Sequence, residues 1–170
     1  MAKMYYSDYL QLNKILNAQS PESNKHQTPA HDEMLFIITH QAYELWFKQI
    51  IHELNSVRQI FSNPINDNSP GMQIAVHRLK RIVTIFTLAV EQINIMETMT
   101  PLDFLDFRNL LRPASGFQSI QFKIIEAILG LRMKDRHAGN YYISQLQKED
   151  MNTIMKLNSE LQTEMAKCSQ

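Results

Sequence analysis

One histidine stands out because it lies among aromatic residues. His40 comes four residues after Phe36 and three before Tyr43, within the apolar stripe of a long predicted helix. An imidazole in that place could act as a general base, or as a hydrogen-bond donor and acceptor, at the wall of an apolar pocket. The alternative is a core histidine that bonds a neighbouring carbonyl, as most buried polar groups do. The sequence leaves both interpretations open.

One arginine has a similar setting. Arg108 directly follows Phe107 and lies one helical turn after Phe104. A guanidinium flanked by aromatic rings can present its planar fork to a carboxylate, which predicts a site for a carboxylate ligand. The alternative is a surface ion pair with Asp103 or Asp106.

Several other kinds of catalytic site are excluded by spacing. The chain has no Glu-x-x-His pair, as di-iron bundles require, and His52-Glu53 is not followed by the second histidine of a zinc helix. The four glycines are too far apart for a nucleotide-binding loop. Cys168 has no local partner that would make it a nucleophile. The remaining histidines lie in polar contexts that favour solvent exposure: His26, His31, His77 and His137.

The composition indicates one ordinary globular domain of 170 residues. Seventeen basic and seventeen acidic side chains balance, which argues against nucleic acid or an anionic membrane as a partner. A single cysteine fits a reducing compartment. There is no apolar run of about 18 residues to span a membrane, and the opening MAKMYYSDYL lacks the apolar region of a signal peptide. We therefore expect a cytoplasmic protein.

Few glycines and long helical periods predict an all-α fold, a helical bundle with two long antiparallel helices and several shorter ones. We expect a single domain over 1–170, with an N-terminal arm over 1–31 and a helical core over 32–170. The N-terminal half is predicted to contain a helix over 5–17 capped by Ser7 or Asp8, a loop over 18–31, a helix of about 30 residues from Asp32 and a helix over 72–99. A helix over 101–111 follows, with Thr100 as N-cap and Pro101 at the first position. The remaining predicted elements are a loop over 112–119, a helix over about 118–129 ended by Gly130, a polar segment over 131–140 and a last helix over 141–166.

Three motifs resemble the tryptophan 2,3-dioxygenase family. The first is Tyr6-x-x-Tyr9-Leu10, which is followed by LNKILNAQSP. The second is the run DEMLFIITHQAYELW over 32–46, and the third is Phe107-Arg108 followed by PASGFQS over 113–119. Order and spacing agree over about residues 5–130.

This resemblance implies a function. The family is all-α and tetrameric, and it uses haem b to insert dioxygen across the indole C2–C3 bond of L-tryptophan. The product is N-formylkynurenine, in tryptophan catabolism along the kynurenine pathway. The resemblance therefore implies an iron-dependent oxidoreductase with L-tryptophan and dioxygen as its substrates and copies of itself as partners.

The resemblance also implies roles for individual residues. His40 would be the catalytic histidine beside the indole N–H, and Phe36 would pack on the indole and the haem. Arg108 would pair with the substrate carboxylate, while Ser115 and Gly116 would lie in the loop over the distal haem face. The other substrate-binding residues implied are Ile37, Ile38, Thr39 and Phe104, with Tyr6, Tyr9 and Leu10 supplied to a neighbouring subunit's site.

Two departures from the family pattern matter. Phe104 stands where many members have a tyrosine, so one hydrogen bond to the substrate carboxylate would be missing. The proximal histidine that ligates haem iron belongs to a C-terminal region that we do not find in this sequence, and His137, in KDRHAGNYY, is not assigned that role. No metal ligand is therefore assigned.

Two interpretations of the chain follow. It is part of a haem-dependent dioxygenase, or it is a truncated, haem-free relative that acts as an indole or aromatic amino acid binding or assembly module.

Overall fold

The computed structural model describes residues 3–62, 66–131 and 146–168, and all regular elements in these ranges are helical. The predicted all-α fold class is therefore confirmed. The helices are α1 (Tyr6–Leu10), α2 (Leu12–Ile15), α3 (Glu22–Lys25), α4 (Glu33–Phe61), α5 (Pro70–Glu91), α6 (Ile93–Met96), α7 (Pro101–Arg108), α8 (Ile120–Ile128) and α9 (Lys148–Cys168), with 3-10 turns at Asn109–Leu111 and Gly116–Gln118.

The two long helices were predicted from their apolar spacing, and one of them is shorter than expected. Helix α4 has 29 residues and matches the prediction of about 30. Helix α5 begins where the Ser69 side chain accepts a hydrogen bond from the Met72 N–H, with Pro70 in its first turn. It ends at Glu91 instead of continuing to residue 99, and the short α6 follows. The sequence has no glycine or proline at this break. A prediction based on apolar spacing therefore continued the helix through it.

The predicted helix over 5–17 is two short helices, so that prediction was wrong. Gln11 separates α1 from α2 with a left-handed backbone (φ 52°). Its side-chain amide donates to the Asp8 carbonyl over 2.6 Å, which satisfies a carbonyl at the end of α1. The N-cap of α1 is Tyr5, without a side-chain bond, and not Ser7 or Asp8.

The loop predicted over 18–31 contains a helix. Helix α3 lies in its middle, and its N-cap residue, Pro21, has no side chain that could accept the first N–H groups. These groups are bonded instead by Glu33, ten and eleven residues later in the chain. A cap from so far along the chain leaves no local sequence signal, which explains why this element was missed.

Local capping was predicted correctly at α7. The Thr100 hydroxyl accepts from the Asp103 N–H, and the Asp103 carboxylate accepts from the Thr100 N–H, with Pro101 in the first turn. Helix α7 ends at Arg108 and continues as the 3-10 turn Asn109–Leu111, so the predicted helix over 101–111 tightens in its last turn.

The C-terminal predictions were correct in type but shifted at their ends. Helix α8 is capped by Ser119, and Gly130 follows it with φ 82°. The loop predicted over 112–119 contains the 3-10 turn Gly116–Gln118, because the Ser115 hydroxyl caps it. The last helix is α9. Residues 132–145, which include His137 and most of the predicted polar segment, lie outside the described residues.

The chain divides into two compact units. The first unit comprises Met1–Gln41 and Ile93–Arg112, and the second comprises Ala42–Gln92 and Pro113–Gln170. Residues 33–41 of α4 therefore belong to the first unit and residues 42–61 to the second. The single domain with an arm over 1–31 stays a prediction.

The second unit contains an antiparallel pair of long helices. The Tyr43 hydroxyl of α4 donates to the Ala89 carbonyl of α5 over 2.9 Å, and Glu53 pairs with Arg81 over 2.7 Å. Partner numbers fall along α5 as they rise along α4, so the helices run antiparallel, as predicted. Their aliphatic core includes five buried residues: Ile50, Leu54, Ile82, Ile85 and Ile125.

One carboxylate is buried beside this core. Burial alone would raise the pKa of Glu53, but the hydrogen bond and charge of Arg81, the Gln49 amide and the charge of His52 outweigh it, so the pKa is lowered. Glu53 is therefore held as a carboxylate.

Membrane-spanning potential is limited to one composite segment. No single helix in the described ranges is long and apolar enough to cross a membrane, and residues 70–96 and 101–111 meet that test of length and composition only when taken together across a sharp bend.

Candidate functional site

The first unit contains a cluster of aromatic rings around Phe36, which we call the Phe36 cluster: Phe36, His40, Phe104 and Phe107. The ring of Phe36 is at its centre, with centroids 4.1 Å from His40, 5.6 Å from Phe104 and 5.6 Å from Phe107. Phe104 stacks on Phe36, whereas Phe107 meets both phenylalanines edge to face. The cluster joins the first turns of α4 to α7.

Two helices position the cluster through simple spacing. Phe36 and His40 are four residues apart on α4, and Phe104 and Phe107 are three apart on α7, so each pair shares a helix face. Phe107 is fully buried, whereas the other three are half-buried. Phe107 thus anchors the cluster, a role that sequence analysis did not assign although the three-residue spacing from Phe104 indicated it.

The hydrogen bond of His40 decides which ring nitrogen carries the proton. Nδ1 lies 2.7 Å from the Phe36 carbonyl oxygen, which can only accept, so Nδ1 donates. In a neutral ring Nε2 is then the acceptor. The carbonyl bond expected of a core histidine is therefore present, and it is made through Nδ1. A neutral His40 with this tautomer suits an N–H ligand.

Arg108 lies at the edge of the Phe36 cluster. Its guanidinium carbon is 5.8 Å from the Phe104 ring centroid, within range of a cation–π contact, and its side chain is exposed. Within the part of the chain that the structure describes, no ion pair joins Arg108 to Asp103 or Asp106. The Asp103 carboxylate is bonded instead by the hydroxyl and N–H of Thr100, which lower its pKa.

The neighbouring positions on α4 differ in burial. Thr39 is buried and Ile37 is half-buried, whereas Ile38 is exposed. Only Thr39 is enclosed as fully as Phe107. The substrate-binding roles of these three residues stay predictions.

The N-terminal candidates on α1 are largely exposed. Tyr6 and Tyr9 on α1 are 75% and 71% exposed, and Leu10 is half-buried. Among the described residues, no ring contact links either tyrosine to the Phe36 cluster. Rings this exposed present apolar surface outward from α1.

The loop candidates, Ser115 and Gly116, belong to the second unit. They line a pocket of about 330 Å³, and a Cβ placed on Gly116 would meet no atom within 4 Å. The other lining residues are Phe117, Ser119, Phe122, Lys123 and Glu126. Lys123 is buried, which sequence analysis also missed. The pocket thus combines two aromatic rings with an open glycine.

A metal site built from several side chains is not found in the described ranges, where no three histidine, cysteine, aspartate or glutamate residues converge. His77 contacts Arg81 over 3.1 Å.

The chain is similar to curated proteins from bacteria, insects and mammals. The family model described as Tryptophan 2,3-dioxygenase matches residues 1–169. Proteins named tryptophan 2,3-dioxygenase are 55% identical over 157 residues in Bdellovibrio bacteriovorus, 52% over 160 in Aedes aegypti and 47% over 165 in Rattus norvegicus. These matches cover 89%, 92% and 91% of this chain but 44%, 40% and 41% of the relatives. The chain thus spans about two fifths of their length.

Proposed function

The chain belongs to the tryptophan 2,3-dioxygenase family, and from this premise we propose that it forms the substrate-recognition part of a haem-dependent enzyme that cleaves the indole ring of L-tryptophan. The reaction inserts dioxygen across the indole C2–C3 bond and gives N-formylkynurenine. Because the chain spans about two fifths of the length of its relatives, we assign substrate recognition to this chain and the complete reaction to the whole enzyme.

A single observation carries the proposal: an exposed guanidinium beside an aromatic cluster that contains an imidazole. L-tryptophan offers the complementary groups, namely a carboxylate for Arg108 and an indole ring for Phe36 and Phe104. In the proposed complex the indole N–H donates to Nε2 of His40, since Nδ1 already donates to the Phe36 carbonyl. The contact between Arg108 and the carboxylate then selects an indole amino acid over indole, which lacks that group.

Haem, when bound, would supply the iron that binds dioxygen. The Phe36 cluster has the apolar, aromatic character that suits one face of a macrocycle. From the family resemblance, Phe36, His40, Ser115 and Gly116 would hold the distal side of the haem, and we assign no residue of this chain as a ligand of its iron. The chain's own tasks are therefore to bind and orient L-tryptophan and to accept a hydrogen bond from the indole.

The assembly and location are also proposed. We infer a homo-oligomer, a tetramer as in the family, because Tyr6 and Tyr9 are highly exposed aromatic rings and exposed aromatics are enriched at protein interfaces. With Leu10, they would line the site of a neighbouring copy. We place the protein in the cytoplasm because a single cysteine fits a reducing compartment.

The test of recognition is a calorimetric titration of the whole chain with L-tryptophan and with tryptamine, which lacks the carboxylate. Arg108→Ala should weaken L-tryptophan binding by about 10- to 150-fold, since a charge-assisted hydrogen bond contributes roughly 1.5–3 kcal/mol. Tryptamine binding should barely change. Arg112→Ala is the matched control, because it removes an exposed arginine four residues further on. Equal losses for both ligands in Arg108→Ala would reject the assigned role.

The test of the cofactor is a haem titration that follows the Soret band with and without L-tryptophan. A stoichiometric, tryptophan-sensitive band would support haem binding by this chain, and His77 and His137 would then be tested as axial ligands. If the chain takes up no haem but still binds L-tryptophan, the haem-free binding module is favoured.

A further inference from the structure

A buried glutamate holds together the segments around the proposed site. Glu33 is 1% exposed, at the start of α4. One carboxylate oxygen accepts from the Glu22 N–H over 2.7 Å, and the other accepts from the Ser23 N–H over 2.9 Å. These are the first two residues of α3, whose own N-cap position, Pro21, supplies no side-chain bond. Glu33 therefore caps a helix that precedes it in the chain.

The capped segment is closed by a second set of bonds. Ser23 is fully buried, and its hydroxyl oxygen accepts from the Ala30 N–H over 3.1 Å. The Ser23 carbonyl accepts from the Thr28 N–H over 2.9 Å. Residues 22–33 thus form a compact loop whose centre is the contact between Ser23 and Glu33. Because both side chains are buried away from water, a polar group left without a hydrogen bond here would lower the stability of the fold.

A second attachment ties the preceding residues to α4. The Gln41 side-chain oxygen accepts from the Gln19 amide over 2.7 Å, and the Gln41 amide donates to the Ala18 carbonyl over 3.2 Å. Glu33 and Gln41 are eight residues apart, about 12 Å along the helix. Phe36 and His40 lie between these two attachments.

Helix α3 also contacts the segment that follows Arg108. Helix α3 lies against the 3-10 turn Asn109–Leu111, which continues directly from Arg108 at the end of α7. A continuous set of contacts therefore runs from α4, through the Glu33 carboxylate and α3, to the turn after the guanidinium. All of these residues belong to the first unit.

We propose that Glu33 is a positioning residue for substrate recognition: by capping α3 it sets the place of Arg108 relative to Phe36 and His40. The inference rests on the proposed function, because it assumes that these three side chains contact the same amino acid. Glu33 touches none of the ligand itself. Its effect should appear as a loss of the preference for the carboxylate of L-tryptophan, and not as a general loss of affinity.

The state of the carboxyl group supports this role. Burial would raise the pKa of Glu33, but the hydrogen bonds from the Ser23 hydroxyl and from the N–H groups of Ser23 and Glu22, with the charge of Lys25, outweigh it and lower the pKa. A carboxylate can accept both N–H groups at once. A glutamine cannot, since its amide nitrogen would confront one of the donors.

The binding test compares Glu33→Gln with Glu22→Gln in the full chain. Glu33→Gln should weaken L-tryptophan by about fivefold or more, as for a loss near 1 kcal/mol, and tryptamine by less than about twofold. Ser23→Ala should act in the same direction. Glu22→Gln is the matched control, because it removes the same charge from the same loop but loses only an exposed pair with Lys25. Equal weakening of both ligands by Glu33→Gln would mean a purely structural role and would overturn the proposal.

A measurement without ligand separates this inference from the proposed function. Hydrogen–deuterium exchange should become faster in Glu33→Gln over residues 18–31 and 104–112, while residues 44–61 keep their rate. Faster exchange confined to 18–31 would show that α3 does not hold the turn after Arg108, and would overturn the proposal. If the unmodified chain prefers neither ligand, the proposed function fails, while the exchange result still decides whether Glu33 positions this turn.

Discussion

The two parts of α4 differ in what they contact. In residues 33–41, Phe36 and His40 belong to the Phe36 cluster, in which the half-buried Phe104 ring lies next to an exposed guanidinium. In residues 42–61, Ile50 and Leu54 are buried in an aliphatic core against which the partly buried Trp46 and Phe47 pack. One continuous helix thus serves as the wall of a candidate site in its first turns and as core in the others.

The two buried glutamates of α4 show the same difference. Glu33 is stabilised mainly by uncharged donors of a short helix, whereas Glu53 is paired with Arg81 beside the core. The carboxylate in the first part organises a loop near the site, while the one in the second part joins two long helices. Burial of a charge therefore does not by itself indicate a functional site; the elements that the charge connects indicate its role.

The largest effect is expected in the aliphatic part. Ile50→Ala should lower the free energy of unfolding by about 2–5 kcal/mol, because it removes a fully buried side chain and leaves a cavity. The measurement is chemical denaturation, with Val83→Ala as control, since Val83 is 65% exposed and should change stability by less than about 0.5 kcal/mol. Equal losses in the two variants would contradict the burial of Ile50 in the core.

A smaller effect is expected at the cap of α7. Thr100→Ala removes the hydroxyl that accepts from the Asp103 N–H, and should lower the free energy of unfolding by about 1 kcal/mol. Thr87→Ala is the control, because Thr87 is an exposed residue within α5 whose hydroxyl only bonds the carbonyl four residues earlier. A loss as large in Thr87→Ala would show that the cap has no special role.

A comparable or smaller effect is expected at His40, in binding instead of stability. His40→Ala should remove the preference for L-tryptophan over its N1-methyl analogue, a change of about fivefold for one hydrogen bond near 1 kcal/mol. The ratio of the two dissociation constants is the quantity to measure. A ratio that stays at the wild-type value would contradict an indole N–H bond to Nε2.

The pH dependence of stability should sharpen the comparison of the two glutamates. Both have a folded pKa below the ordinary value of 4.5, so each stabilises the folded state above that pH, and its contribution is lost as the pH falls through the folded value. Glu33→Gln and Glu53→Gln should each flatten the acid limb of a stability–pH curve. Salt should weaken the Glu53 contribution more, because its main partner is a half-exposed charge. Equal salt sensitivity would remove the distinction.

Much of the fold could be predicted because it depends on local chemistry. Apolar spacing predicted α4 and the antiparallel pair, and the Thr100-Pro101 sequence predicted the start of α7. The breaks at Gln11 and after Glu91 were missed, since neither has a glycine or proline. Helix α3 was missed because the residue that caps it, Glu33, lies ten or more residues further along the chain.

The candidate site was predictable in its parts but not in its support. His40 and Arg108 could be selected by their aromatic neighbours, and the resemblance supplied their roles. Glu33 was not selected, because a buried cap differs from an ordinary surface residue only in three dimensions. Phe107 was not selected as an anchor, although its three-residue spacing from Phe104 indicated a shared helix face.

The central claim is that L-tryptophan binds at the Phe36 cluster with its carboxylate at Arg108. The most direct measurement is a set of intermolecular nuclear Overhauser effects between bound L-tryptophan and the isotope-labelled chain. We predict contacts from the indole protons to the rings of Phe36 and His40, and from the ligand Cα proton to the Arg108 side chain. Indole contacts to other residues, with none to Phe36 or His40, would contradict the account.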